Sequence, residues 1–167
     1  MEKIIGLFIV LSLILLSCEA TKSNVKVEFD QEAFIAHRQK WQQTNVNNYK
    51  YQLIAYDNKE KKEYSAIITV ENGIYKENSP TSDDFNINDF LHFSTIDKIF
   101  NWLELTYNEN DNFRFTKFGA YVTNIYVEYD EINHIPVIIT YKIKAPFFLD
   151  ISGRDYFNIK NFEKKED

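Results

Sequence analysis

The stretch from Lys62 to Asn78 constrains this chain more than any other. Tyr64, Ala66, Ile68 and Val70 alternate with Glu63, Ser65, Ile67 and Thr69, Asn72-Gly73 follows, and a shorter run resumes at Ile74. Period-two alternation places successive side chains on opposite faces of a strand, and Asn-Gly supplies the two positive-φ residues of a type I′ turn. The segment therefore predicts an antiparallel hairpin, 62–71 with 74–78. A lone hairpin cannot bury its apolar face, so further strands or a helix layer must cover it.

Both are at hand. Tyr49, Tyr51, Leu53 and Ala55 alternate with Lys50, Gln52, Ile54 and Tyr56. Thr123, Ile125, Val127 and Tyr129 alternate with Asn124, Tyr126 and Glu128, and Val137, Ile139, Tyr141 and Ile143 alternate with Ile138, Thr140, Lys142 and Lys144. A sixth strand is predicted over 155–162. Helical spacing occurs twice. Asp30 as N-cap, with Phe29 before it and Phe34, His37 and Trp41 on one face, predicts a helix over 31–43. Ser94-Thr95-Ile96-Asp97 resembles a capping box, and Ile96, Ile99, Phe100 and Leu103 predict a second helix over 95–106. The expected fold is α+β, in the order α-β-β-β-α-β-β-β. An antiparallel sheet of five to six strands carries two helices on one face. The halves echo one another in element order, each helix bearing a tryptophan (Trp41, Trp102).

The first eighteen residues pose a different problem. Lys3 and the amino terminus precede an apolar run of thirteen residues, 4–16, interrupted only by Gly6 and Ser12. This falls short of the about 20 residues of a spanning helix and has the length of a signal-peptide core. It ends in Leu15-Leu16-Ser17-Cys18, which resembles the bacterial lipobox. There a lipid is attached to the thiol, the peptidase cuts before the modified residue, and the cysteine becomes the new N-terminus. The alternative is a plain secretory signal with an incidental cysteine. Cys18 is the only cysteine, so neither an internal disulfide nor a cysteine zinc site can form. The expected division is a signal peptide over 1–17, a lipidated N-terminus and tether over 18–28, one domain over 29–163 and a frayed tail over 164–167. Acyl chains such as palmitate would hold the protein to a membrane of the bacterial cell envelope.

Phe34, Arg38, Trp41, Tyr49 and Tyr51 form F-x3-R-x2-W-x7-Y-x-Y. Tyr129-Asp130, then Pro136 and Val137-Ile138-Ile139, and finally Asp155, Tyr156 and Phe162 follow in order. Together with the Asn-Gly hairpin they resemble a domain-of-unknown-function family of small bacterial lipoproteins, over about residues 29–163. Two departures stand out. His134 occupies a place where that pattern has Gly, and Tyr141 and Lys142 stand where an acidic residue follows the Pro. The resemblance implies a fold and a location, and no activity.

Chemistry is sparse. The net charge of −6 and pI near 5.1 argue against a nucleic-acid partner. No G-x-S-x-G segment is present, and His37, His92 and His134 show no metal-ligand spacing. Residues 108–112 look like a calcium loop, but Phe113 and Gly119 stand where Gly and Glu are required. The candidate carboxylate pairs are Asp83 with Asp84, Glu128 with Asp130, and Asp150 with Asp155; they would serve an envelope hydrolase. The favoured expectation is a non-catalytic binding or assembly module without cofactor. Its anchor would be the membrane, and its partner an envelope protein or glycan. Its contact surface would be the sheet face bearing Tyr56 and Tyr126, unless the apolar connection over 85–93 covers that face.

Overall fold

The computed structural model describes residues 27–57, 60–108, 121–144 and 154–165. Helix α1, Gln31–Gln43, starts where a carboxylate can satisfy a free helical N–H: Asp30 Oδ1 accepts from Ala33 N at 3.0 Å. Strands β1 (Tyr49–Asp57), β2 (Lys62–Glu71) and β3 (Ile74–Pro80) follow as a meander. Asn72 and Gly73 take φ of 54° and 73°, as the hairpin requires. Their amides donate to Asn48 Oδ1 and to the Asn47 carbonyl, tying the turn to the loop that enters β1. Helix α2 (Ile96–Asn108) precedes a second meander, β4 (Tyr121–Tyr129), β5 (Pro136–Lys144) and β6 (Arg154–Lys164).

All six strands join one antiparallel sheet in the order β3-β2-β1-β6-β5-β4. Alternation decides its faces. Tyr49, Tyr51, Leu53 and Ala55 of β1 are buried under the helices, opposite Val70, Ile68 and Ala66 of β2. Phe157 and Ile159 extend this core face across β6. The two halves, each an α-helix followed by three strands with a short 3₁₀ helix between them, are not related by symmetry. With every pairing antiparallel, β1 and β4 run in opposite directions while both helices lie on one face. No rotation superposes such halves.

Several expectations need correction. There are three helices, not two, because Ile87–Phe93 forms a 3₁₀ helix with a kink at Phe90. Seven residues are too few to repay an α-helical nucleus, and short connectors commonly settle as 3₁₀ turns. The second helix begins one residue later than expected and runs two further. Its cap is Thr95, whose Oγ1 accepts from Lys98 N at 3.1 Å; Asp97 is turned instead toward Trp41. The folded unit already includes residues 27 and 28. Val27 is buried, and Glu28 bridges the outer edge of β4, donating to Thr123 O at 3.0 Å and accepting from Ile125 N at 2.9 Å. The tail is shorter than 164–167: β6 includes Lys164, and Lys165 N donates to Asn48 O.

Candidate functional site

The F-x3-R-x2-W-x7-Y-x-Y residues come together, and what they build is an interface. Phe34 packs on Phe100, with ring centres 5.9 Å apart. Arg38 donates to Glu104 at 2.7 Å and to Asn101 at 2.8 Å. Trp41 meets Tyr49 edge-on and donates its indole N–H to Asp97 at 3.2 Å. Tyr49 Oη accepts the Ile96 amide at 3.1 Å, satisfying one of the free N–H groups of α2, while the Tyr51 hydroxyl donates to the Phe93 carbonyl. Burial pushes both phenols up from their ordinary pKa, so they remain neutral donors and acceptors. The motif thus pins the 3₁₀ helix and α2 to β1. Each of its polar side chains is engaged in one of these contacts.

The opposite sheet face has a different character. The registers Tyr56↔Tyr156, Thr140↔Tyr156 and Tyr126↔Thr140 place four residues in one row across β1, β6, β5 and β4. Tyr56 and Tyr126 therefore share a face and a row, three strand intervals apart, or about 14 Å at ordinary strand spacing. Tyr56 is half-buried, its ring stacked on Tyr156 with centres 5.0 Å apart and planes within 7°. Tyr126 is 47% exposed and donates to Glu128 at 2.8 Å. Thr140 is buried between these neighbours, and Ile54 and Ile138 are half-buried in the adjoining row. Further along, a shift in the β1–β6 register opens a hollow of about 230 Å³ floored by Gln52, Ile67 and Asn161. The Lys50–Glu163 ion pair, 2.9 Å, closes one side of it.

The connection over 85–93 does not cover this face. Phe90 packs on Tyr64, and Phe93 stacks on Phe157 at 3.8 Å, both on the helix side. Phe93 also reaches Trp102 and is part of the buried core. Tyr156 is the member of the row that local pattern does not pick out, because its place depends on the β1–β6 pairing.

The remaining candidates sit elsewhere. Lys62 is paired with Asp84, Glu128 accepts from Tyr126, and Asp130 Oδ1 accepts the Ile132 and Asn133 amides of its own turn. Asp150, the Asp155 side chain, residues 109–112 and Cys18 lie outside the described residues. His92 is exposed. His37 and His134 meet beside Tyr129: His37 stacks on Tyr129 at 4.3 Å, and the two imidazole centres are 5.5 Å apart. Burial lowers the His37 pKa, with Glu131 acting the other way; burial raises that of Tyr129. Among the described residues no group of three or more His, Cys, Asp or Glu is arranged to hold a metal ion, and no helix is long and apolar enough to cross a membrane.

A family profile covers residues 33–140, well over half of the chain. The chain belongs to the family of unknown function DUF6174. The DUF6174 segment runs from α1 into β5, so it contains the whole Phe34–Tyr51 motif and the 3₁₀ helix. It stops short of β6, the strand that joins the two meanders of the sheet. No curated protein and no solved structure matches the chain.

Proposed function

We propose that this DUF6174 protein is a lipid-anchored cell-envelope module that binds another envelope protein through its open sheet face and performs no catalysis. The observation that carries the reading is the row Tyr56–Tyr156–Thr140–Tyr126, which no described helix or loop covers. Aromatic residues at the centre of a surface, with charged groups at its rim, suit protein recognition. Anchoring rests on the Leu15-Leu16-Ser17-Cys18 segment, with the nine residues 19–27 reaching at most about 30 Å from the membrane to the docked strand edge.

The test joins both parts. Cys18→Ser removes lipid labelling and detergent partitioning. A photo-crosslinking residue at position 126 or 67, introduced in cells, gives a discrete protein adduct, and one at Ile35 or Leu105 on the helices' outer side does not. Equal labelling of the Cys18 variant, or adducts only from the helix side, overturns the corresponding half of the reading.

A further inference from the structure

Three buried side-chain polar atoms among the described residues have no hydrogen-bond partner, and all three belong to one cluster: His37 Nδ1, His134 Nδ1 and Tyr129 Oη. Buried polar atoms are nearly always satisfied by protein or ordered water, so three orphans together mark a place that can receive a polar guest. The backbone agrees. His134 takes φ of 60°, a conformation that costs an L-residue free energy and that glycine accepts readily. The strain is held by the turn itself, where His134 N donates to Asp130 O at 2.8 Å and Asp130 caps the amides between them. The turn thus holds an imidazole against His37 of α1, and Tyr129 fixes the His37 ring by stacking.

We propose that His37 and His134 form a two-histidine site for an imidazole-preferring divalent transition metal, such as Zn²⁺ or Cu²⁺, with water completing the shell. Metal–nitrogen bonds of about 2.0–2.1 Å at a near-tetrahedral angle set two imidazole centres about 5 Å apart. The observed separation is 5.5 Å, with the rings inclined at 55°. A neutral imidazole is the form a metal needs, and Glu131 in the same turn offsets part of the ion's charge. The site uses two protein ligands; among the described residues no group of three or more His, Cys, Asp or Glu is arranged to hold a metal ion. Hard cations such as Mg²⁺ prefer oxygen and are not expected to bind.

The test uses the full chain without a histidine tag, in detergent and freed of metal by EDTA, titrated with Zn²⁺, Cu²⁺ and Mg²⁺ while its thermal midpoint is followed. Two variants preserve the fold locally. His134→Gly suits the positive φ, and His37→Phe keeps a ring stacked on Tyr129. The expected result is a midpoint rise on the order of 5 °C with excess Zn²⁺ or Cu²⁺, none with Mg²⁺, and loss of the rise in both variants. No response of the unmodified chain overturns the proposal. So does an undiminished response of both variants, which would put the metal elsewhere, for instance at His92. Broadening of the His37 and His134 imidazole resonances by Cu²⁺ gives a readout independent of stability.

Discussion

Deleting a single buried hydroxyl tests the role assigned to the Tyr-x-Tyr pair. Tyr49 and Tyr51 are fully buried, and each phenol serves a backbone group of another element. Tyr49→Phe leaves the Ile96 amide without its acceptor; Tyr51→Phe leaves the Phe93 carbonyl without its donor. The phenyl ring stays in place, so little packing is lost. The cost is that of orphaning one buried group, about 1–3 kcal/mol for each variant. For a chain of this size that lowers the thermal midpoint by about 2–4 °C per kcal/mol. Urea unfolding gives the free energy, and amide exchange gives the location. Ile96 N–H should lose protection in Tyr49→Phe and keep it in Tyr51→Phe, because only the first variant removes its partner. If both variants unfold within about 0.5 kcal/mol of the unmodified protein, with Ile96 equally protected, the phenols do not pin α2 and the account of the motif fails.

Other predictions follow from the same geometry. The Tyr49, Tyr51 and Tyr129 phenols have pKa values raised above the ordinary 10 by burial, so the unfolded chain loses these protons first. Their contribution to stability is complete below pH 10 and falls as pH rises beyond it, so ultraviolet titration should show these phenolates appearing only as the protein unfolds. Gly73→Ala places a Cβ at φ of 73°, where the nearest atom, Asn47 Oδ1, is a tolerable 3.5 Å away. The cost is therefore backbone strain alone, about 1 kcal/mol by urea unfolding.

The strands were legible because a half-buried sheet writes a period of two into the chain, as Tyr49–Tyr56 and Lys62–Glu71 show. Helix α1 was legible from its cap and its Phe34–Trp41 stripe. The 3₁₀ helix was not, since Asn88-Asp89-Phe90-Leu91 has neither period, and tertiary packing of Phe90 and Phe93 shapes it. Sheet order was beyond local pattern. The β1–β6 pairing joins residues as distant as Gln52 and Asn161, and only that pairing brings Tyr156 beside Tyr56. The histidine pair was hidden for the same reason: His37 and His134 show no ligand spacing and meet only through the turn after β4.

The Phe34–Tyr51 motif and the candidate contact surface lie on opposite sides of one sheet, and their energetics should separate. Trp41 is 2% exposed, packs on Tyr49 and Phe162, and donates to Asp97. Trp41→Ala removes a large core side chain and leaves Asp97 without its indole partner, at a cost of about 3–5 kcal/mol. Tyr126 is 47% exposed, so Tyr126→Ala should cost less than about 1 kcal/mol while removing a central contact of the open face. Tyr56→Ala should fall between them, because it also breaks the stack on Tyr156, worth about 0.5–1.5 kcal/mol beyond burial. Urea unfolding ranks the three, and crosslinking from position 67 reports the partner. The separation predicts that Tyr126→Ala loses the adduct with stability intact. If Tyr126→Ala proves as destabilising as Trp41→Ala, the open face is a second core layer. Recognition must then move to the helices' outer surface or the loops.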